Sequence, residues 1–407
     1  MRGVDSIVEK PLRSSSLDLA VGIPSHNEAD NIDFVVQQVA EGLSRYFSHL
    51  NTAIVNADNC SEDGTKKVFL QSDSGQIPKV YLSTPPGVKG KGNNFKNLFN
   101  FLSPYQPKAV VVVDGDLRSI RPEWIRDFGR TVLKGYDFVA PLYSRNEYDG
   151  TITNHLCYPL FYGVLGKVIR QPIGGDFAFS GRLMKHWMTR SWGENVLRYG
   201  VDIFMTSEAL LSGFPVAQVT LGSKIHKPSA PKLGEMFTQV VDTLFHQVLE
   251  SRNLWMLNGK KPQTPPIFKC NKSLVEVPPS LSIDYKALKQ QALEEFSVHE
   301  SLIFEILPEE LGSRIEAIFK GQILRMSAAA WTLIVYSFLG AYASVLDRDR
   351  QLRIVEALKP LYFARVVFFI RETLELDHVG SEEKLVQQAQ TFWRHRRRLL
   401  EGHLAVA

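Results

Sequence analysis

Short β-rich runs alternate with helical patterns along residues 17 to 225, and this alternation limits the folds that are open to the chain. The predicted strands are LDLAVGIP, NTAIVNAD, KVYLST, AVVVVDGD and YDFVAPLY. The helical patterns between them are DNIDFVVQQVAEGLSRYF, EDGTKKVFLQS and GNNFKNLFNFLS. Strands joined through helices run parallel in one sheet. We therefore predict an α/β domain with a mostly parallel sheet that binds ligands at the carboxyl ends of its strands.

The second half of the chain has a different pattern, with long helices from about residue 233 and a proline-bearing connector at 259–280. The predicted parts are a flexible tail over 1–16, the α/β domain over 17–245 and an all-α C-terminal domain over 246–407. Residues 327–346, SAAAWTLIVYSFLGAYASVL, are uncharged for about the length of a membrane span. Their Ala, Ser, Thr, Tyr and Gly content favours a buried helix, so we expect no membrane span.

Composition excludes few classes of partner. The net charge of +4 is mild, and Lys and Arg are spread along the chain, so no nucleic-acid partner is predicted. The basic run at 393–398 is interpreted as a solvated helix end. The three cysteines are odd in number and lack C-x-x-C spacing, which indicates neither a disulfide framework nor a cysteine metal site. With no signal-peptide pattern at the N-terminus, a cytoplasmic protein is expected.

Two carboxylates end the most apolar strand. Asp114 and Asp116 follow the run VVVV, with one glycine between them. Carboxylates this close repel each other unless a cation or solvent lies between them. The stretch by itself is equally compatible with a polar turn and with a metal site.

Polar residues follow the other predicted strands as well. Asn27 and Glu28 lie in PSHNEADNI, and Asp58 begins the acidic turn DNCSEDGT. The loop GVKGKGNN lets backbone N–H groups and Lys91 approach an anion, although a flexible solvated loop has the same composition. Parallel strands bring these turns to one edge of the sheet, which favours a common site.

Taken in order, IPSHNE, NADNCSEDGT, GKGNN and VDGDL resemble the nucleotide-sugar half of the GT-A (Rossmann-like) glycosyltransferase fold, with VDGDL as its Asp-x-Asp metal motif. The resemblance implies a role for each motif: Pro24 and Asn27 near the nucleoside, Glu28 near the ribose, Asp58 near the base, Lys91 near the diphosphate, and Asp114 and Asp116 facing the sugar and a divalent cation, Mg²⁺ or Mn²⁺.

The segments 142–154, 171–184 and 198–210 resemble the mannosylglycerate synthase and glucosyl-3-phosphoglycerate synthase families, which retain anomeric configuration. By this resemblance Gly174 and Gly175 let the backbone approach the sugar, and Asp176 accepts from its hydroxyls. Asp202 would bind the acceptor hydroxyl or the donor sugar, and His226 would bind the metal. Arg145 would pair with an acceptor carboxylate that Thr153 or Asn154 helps to position. Without this resemblance, Asp202 is equally well interpreted as a helix N-cap.

We therefore predict a metal-dependent retaining transferase that moves glucose or mannose from a GDP- or UDP-hexose to glycerate or 3-phosphoglycerate. One alternative is an inverting family-2-like transferase acting on a lipid or polysaccharide, with Asp202 as base. Another is a nucleotide-sugar-binding protein without turnover. The sequence leaves a homodimer open and does not determine the oligomeric state.

Overall fold

The computed structural model describes residues 5–8, 12, 15–227, 233–256, 261–268, 278, 281 and 283–401. The chain divides into two compact units: Met1–Arg145, Gln171–Ala230 and Pro265–Pro278 in the first, and Asn146–Arg170, Pro231–Thr264 and Pro279–Ala407 in the second. Most of the predicted connector at 259–280, part of the predicted tail at 1–16, and Cys270 lie outside the described residues. The predicted domain boundaries stay a prediction.

A mixed sheet forms the first unit. Its strands in chain order are β1 (Asp5–Val8), β2 (Leu19–Ser25), β3 (Thr52–Asp58), β4 (Lys79–Ser83), β5 (Ala109–Val112), β6 (Phe138–Ser144), β7 (Phe177–Ser180), β8 (Val216–Ser223) and β9 (Ile267–Phe268). Their order in the sheet is β1-β4-β3-β2-β5-β7-β6-β8-β9. The run β4-β3-β2-β5 is parallel, whereas β7 is antiparallel to both of its neighbours. The predicted α/β class and the five predicted strands are confirmed.

The helices follow the predicted alternation. In chain order they are α1 (Ile32–Phe47), α2 (Thr65–Gln71), α3 (Lys91–Leu102), α4 (Pro122–Leu133), α5 (Tyr158–Leu160), α6 (Gly181–Thr189), α7 (Val201–Leu211), α8 (Leu233–Glu250), α9 (Arg252–Trp255), α10 (Tyr285–Ile306), α11 (Glu309–Lys320), α12 (Ala328–Ala343), α13 (Arg348–Thr373) and α14 (His378–Glu401). Helix α5 lies between π-helical turns at Thr153–Cys157 and Phe161–Leu165. Helices α5 and α8 to α14 belong to the second unit.

Apolar periodicity decides how α1 packs. Val36, Val39 and Leu43 recur three or four residues apart, are fully buried, and belong to the same core as Ile125 of α4. A Cβ at Gly42 would lie 2.9 Å from the Cβ of Ile125, so the two helices approach closely at this glycine.

The direction of the chain reverses between β2 and β5. The chain steps outward from β2 to β3 and β4, and it then returns to the other side of β2 as β5. This is a topological switch point, where the loops at the carboxyl ends of two strands diverge and leave a crevice. The loop after β5 stays attached to β2, because the N–H groups of Val113 and Gly115 donate to the carbonyls of Gly22 (3.1 Å) and Pro24 (3.2 Å).

Helix α12 contains most of the uncharged stretch 327–346. Most of its large side chains are buried, including Trp331, Phe338 and Tyr342. In the part of the chain that the structure describes, no helix combines the length and the apolar character needed to cross a bilayer. The basic run at 393–398 lies in the last turns of α14, where Arg394 and Arg398 are exposed but Arg396 is buried and donates to the carbonyl of Trp255.

Candidate active site

Asp114 follows β5 and is bound by two lysine side chains. Lys91 Nζ lies 2.9 Å from its Oδ1, and Lys224 Nζ lies 3.2 Å from its Oδ2. Burial raises the pKa of Asp114, but the two ammonium groups outweigh burial and hold that pKa well below its usual range. Asp114 is therefore a charged carboxylate with both oxygens already engaged.

Asp116 has a different environment, although only one residue separates it from Asp114. Its side chain is partly buried, and no hydrogen bond or ion pair from another described residue reaches its carboxylate. Burial, followed by the charge of Asp114, raises its pKa above the ordinary value. A negative charge that is unfavourable and unpartnered within the described chain is well suited to a bound cation.

His226 presents one ring nitrogen as an acceptor. Its Nδ1 lies 2.7 Å from the carbonyl oxygen of Lys227, which can only accept, so Nδ1 carries the proton. Its Nε2 then accepts from the Arg145 guanidinium at 3.3 Å. A backbone carbonyl that fixes the tautomer in this way is typical of metal-binding imidazoles.

The protein ligands fit a divalent cation whose remaining coordination positions are filled by a bound substrate and by water. Asp116 and His226 interact electrostatically and would supply one carboxylate oxygen and one imidazole nitrogen. Among the described residues, no group of three or more His, Cys, Asp or Glu side chains is arranged to hold a metal. Mg²⁺ commonly takes only one or two carboxylates and fills its remaining positions with phosphate oxygens and water.

Lys91 connects Asp114 to Asp202. Asp202 is the second residue of α7, and its Oδ2 lies 3.2 Å from Lys91 Nζ. The N-cap interpretation of Asp202 is wrong, because Gly200 occupies that position. The other oxygen, Oδ1, is buried and has no hydrogen-bond partner among the described residues. Burial is the main cause that raises the pKa of Asp202.

The backbone N–H groups at the start of α3 bind protein carbonyls and do not, as the sequence had suggested, point at a site for an anion. The N–H groups of Gly92 and Asn93 donate to the carbonyls of Arg198 (3.2 Å) and Leu197 (3.1 Å), not to open space. A Cβ at Gly92 would lie 2.1 Å from the carbonyl oxygen of Val196. Gly92 is therefore needed for close backbone packing, and Lys91 carries the positive charge of the loop into the site.

Asp176 supports Asp114 from within the protein. It is fully buried and accepts from the Asp114 backbone N–H (2.8 Å), the Tyr143 hydroxyl (2.7 Å) and Lys224 Nζ (2.6 Å). Gly175 has φ +86°, and a Cβ there would lie 2.3 Å from Asp114 Oδ2. At Gly174 a Cβ would lie 2.3 Å from the Pro141 ring. Direct contact of these residues with a sugar stays a prediction.

Asp58 organises the turn after β3. Its two oxygens accept from Ser25 Oγ (2.7 Å), Tyr81 OH (2.9 Å), and both Oγ (2.6 Å) and N–H (2.7 Å) of Ser61. A carboxylate offers about four acceptor positions, so these bonds use its full capacity. Asn27, with φ +58°, joins this turn to the one after β2, because its N–H donates to Ser61 Oγ and its Oδ1 accepts from the Glu62 N–H.

Glu28 is paired but remains difficult to ionise. Its Oε2 lies 2.7 Å from Lys227 Nζ, which also binds Asp30 at 2.7 Å. Burial, together with the nearby charge of Asp116, nevertheless raises the pKa of Glu28 to about 7. The residue expected near the ribose therefore changes charge close to neutral pH.

Replacing Glu28 with Gln should alter how stability depends on pH. The pKa of about 7 in the folded protein exceeds the ordinary 4.5, so this group's contribution to stability is fully present below pH 4.5 and is lost as the pH rises through 7. The rise corresponds to about 2 kcal/mol once solvent screening is allowed for. Urea unfolding between pH 4.5 and 8 should show wild type losing about this much relative to Glu28→Gln. Parallel profiles would contradict the expectation.

The three predicted acceptor residues are distributed over both units. Arg145 ends the first unit's β6 segment and contacts His226. Thr153 and Asn154 lie in a π-helical turn of the second unit, and both are buried. The Asn154 amide donates to the carbonyls of Glu147 (3.0 Å) and Asp149 (3.1 Å), which closes a turn. A role for Thr153 and Asn154 in acceptor binding stays a prediction.

Two site residues were missed from the sequence, Lys224 and Tyr143. Both lie at strand ends, Tyr143 in the predicted strand YDFVAPLY and Lys224 two residues before His226, and that position was the signal that could have identified them. A single lysine or tyrosine at such a position is normally a surface residue. Only the pairing of β5, β6, β7 and β8 brings both side chains to Asp176.

Comparison with known proteins agrees with the fold. Residues 20–190 match the model of the family described as Glycosyl transferase family 2. An uncharacterised glycosyltransferase of Synechocystis sp. is 26% identical over 172 residues, which are 41% of this chain and 51% of that protein, so the chain matches about half the length of this curated relative.

Two solved structures are similar at lower identity. Glucosyl-3-phosphoglycerate synthase from Mycobacterium tuberculosis, in complex with Mn²⁺, uridine diphosphate and phosphoglyceric acid, is 24% identical over 57% of this chain and 78% of that one, with a TM-score of 0.47. Mannosyl-3-phosphoglycerate synthase from Rubrobacter xylanophilus is 22% identical over 61% of this chain and 79% of that one, with a TM-score of 0.46. The match to the Glycosyl transferase family 2 model covers residues 20–190, and the predicted GT-A fold is confirmed.

Proposed function

We propose that the chain is a hexosyltransferase that moves glucose or mannose from a nucleotide-diphospho-sugar to glycerate or 3-phosphoglycerate, with retention of configuration and with Mg²⁺ or Mn²⁺. The observation that carries the proposal is the different environment of the two carboxylates in the Asp-Gly-Asp turn. Asp114 is neutralised by two lysines, whereas Asp116 has no partner among the described residues and a raised pKa. One carboxylate is thus held in place, and the other is left for a cation.

Asp116 and His226 would hold the cation. Breaking a sugar–diphosphate bond leaves a highly charged diphosphate, and a divalent ion stabilises that charge without proton transfer. The chain itself adds a second positive charge through Lys91, whose side chain is 17% exposed at the carboxyl end of the sheet. A charge aimed at the leaving group lowers the barrier most when it is fixed before reaction, and the ion pairs to Asp114 and Asp202 fix it.

Asp114 and Asp202 would orient the two substrates. Asp114 is held as a carboxylate and can accept from a hydroxyl of the donor sugar. The unpartnered Oδ1 of Asp202 within the described chain is suited to a hydroxyl of the sugar or of the acceptor. We propose a front-face displacement in which the leaving phosphate takes the acceptor proton, as the resemblance to the retaining families implies.

Asp202 also favours a second candidate function. Its buried Oδ1 and raised pKa are properties of a general base, so an inverting transferase acting on a lipid or polysaccharide would use it to deprotonate the acceptor. The match to Glycosyl transferase family 2 is compatible with this candidate. Against it, the ammonium of Lys91 on Oδ2 lowers the basicity of the carboxylate.

The experiment combines binding with product analysis. Thermal shift with UDP and GDP, each with and without Mg²⁺ or Mn²⁺, identifies the nucleotide, since a ligand at 100 times its Kd stabilises by about 2.7 kcal/mol. Transfer from the matching glucose and mannose donors to glycerate and 3-phosphoglycerate is then measured, and NMR gives the anomeric configuration of the product. A retained α-linkage supports the proposal, inversion supports the second candidate, and nucleotide binding without transfer or donor hydrolysis indicates a binding protein.

Replacing Arg145 with Lys should weaken use of the acceptor far more than use of the donor. A planar guanidinium makes two charge-assisted bonds to a carboxylate that lysine cannot reproduce. Losing one charged hydrogen bond costs about 1.5 to 3 kcal/mol, or about tenfold or more in acceptor kcat/KM. Initial rates with glycerate, 3-phosphoglycerate and glycerol should show wild type preferring the carboxylates and Arg145→Lys losing most of that preference.

The matched control is Arg130→Lys, because Arg130 is an exposed arginine at the C-terminal end of α4. It should behave as wild type with every acceptor. Unaltered discrimination in Arg145→Lys would remove Arg145 from the acceptor site.

A further inference from the structure

Lys224 is the most completely enclosed cation of the site. It follows β8, and its side chain is only 4% exposed. Its Nζ donates to Asp176 Oδ2 (2.6 Å), the Gly174 carbonyl (2.7 Å) and Asp114 Oδ2 (3.2 Å). An ammonium group has three N–H donors, so all three are used within the protein and none is left for a ligand.

The surrounding residues are shaped to this ammonium. Nζ lies 5.4 Å from the centre of the Tyr143 ring, whose hydroxyl donates to Asp176. A Cβ at Gly175 would lie 2.9 Å from Nζ, and the positive φ of this residue also favours glycine. Asp176 in turn holds the backbone N–H of Asp114. The same ammonium therefore binds two carboxylates and the carbonyl of Gly174, two residues before Asp176.

Lys91 contacts Asp114 too, but in a different way. Its Nζ also lies near Asp202 Oδ2 (3.2 Å) and the Gly175 carbonyl (3.4 Å), but its side chain is 17% exposed, against 4% for Lys224. Lys91 can thus face a ligand, whereas Lys224 faces only the protein. Without Lys224, Asp176 would lose its ion-pair partner, and Asp114 would keep the ammonium of Lys91.

We propose that Lys224 is a positioning residue: it is the fixed counter-ion of Asp114 and Asp176, and it thereby leaves Asp116 as the carboxylate of the Asp-Gly-Asp turn that is open to a divalent cation. This inference rests on the proposed function for the cation concerned. Loss of the ammonium frees an oxygen of Asp114 and increases the negative charge of the turn. A divalent cation should then bind more tightly even when no nucleotide is present to complete its coordination shell.

The test is a titration of the nucleotide-free protein with Mn²⁺, in which the signal of free Mn²⁺ is followed by electron paramagnetic resonance. Lys224→Ala should bind Mn²⁺ about tenfold or more tightly than wild type, because one positive charge has been removed from beside the carboxylates. Methylammonium should fill the vacated space and move the affinity back toward wild type. Transfer activity is not needed for either readout.

Lys79→Ala is the matched control. Lys79 is another buried lysine of the same unit, but its ammonium donates to the backbone carbonyls of Phe69, Leu70 and Ser72. Its replacement should lower stability and leave Mn²⁺ affinity at the wild-type value, with or without methylammonium. This variant separates the loss of a buried lysine in general from the loss of this counter-ion.

Equal Mn²⁺ affinity in wild type and folded Lys224→Ala would overturn the proposal, as would a gain of the same size in Lys79→Ala. If Lys224→Ala does not fold, Lys224→Gln, which keeps a donor and loses the charge, is used for the same comparison with the same two outcomes. A different result would contradict the proposed function: a wild-type protein that transfers no hexose from any nucleotide sugar.

Discussion

Asp116→Ala is expected to reduce hexose transfer by about 10³-fold or more while the protein stays folded. The carboxylate is the proposed protein ligand to the cation, and loss of a metal's charge stabilisation at the leaving group costs several kcal/mol of barrier, of which about 4 kcal/mol corresponds to 10³-fold. Little stability is lost, because no hydrogen bond or ion pair from the described residues reaches this side chain. Removing it also relieves repulsion with Asp114.

The measurement is transfer rate against Mg²⁺ and Mn²⁺ concentration, together with the thermal midpoint of unfolding. Asp33→Ala is the control, because Asp33 lies in the first turn of α1, and among the described residues its carboxylate accepts only from the Gln37 side chain (2.9 Å). It should match wild type in both readouts. Near-normal turnover of Asp116→Ala at saturating metal would remove Asp116 from the cation site and, with it, the main support for the proposed function.

Lys91→Met is expected to lower both activity and stability. The variant leaves Asp202 buried without its ion-pair partner, and breaking a buried pair by removing one member costs about 3 to 5 kcal/mol of unfolding free energy. It also removes the positive charge that we place beside the diphosphate, for which a loss of about 10² to 10³-fold in kcat is expected. Urea unfolding and steady-state rates measure the two effects separately.

A second substitution separates the two roles of Lys91. In the double variant Lys91→Met with Asp202→Asn, the uncompensated charge is gone, so a large part of the lost stability should return. Activity should not return, because the positive charge remains absent. A double variant that regains both stability and activity would show that Lys91 acts only through packing and not on the diphosphate.

The elements of the first unit were largely predictable, because local patterns determine them. The run Val110 to Val113 is apolar without a break and is typical of a buried strand, and the spacing of apolar residues in 30–47 predicts the amphipathic helix α1. The antiparallel insertion of β7 between β5 and β6 was not predicted. A short strand such as FAFS carries no information about the direction of its neighbours.

The candidate site was predictable in outline, and the reason is topological. Parallel strands deliver their following loops to one edge, so Glu28, Lys91 and Asp114 could be grouped from sequence alone. The ion-pair and hydrogen-bond partners of these residues could not be predicted from the sequence. Whether a carboxylate is paired depends on side chains that arrive from distant parts of the chain, as Lys224 does at Asp114, 110 residues away.

By itself, the sequence determined the five predicted strands, the helices between them and the polar residues that end the strands, since these follow from patterns within a few residues. The tertiary structure alone decided the charge state of the site. Burial and long-range pairing hold Asp114 ionised between Lys91 and Lys224, leave Asp116 with a raised pKa and no partner within the described chain, and enclose Asp176 beneath them. A pKa depends on the distance to each charge and on exclusion of water, and neither quantity exists until the chain is folded.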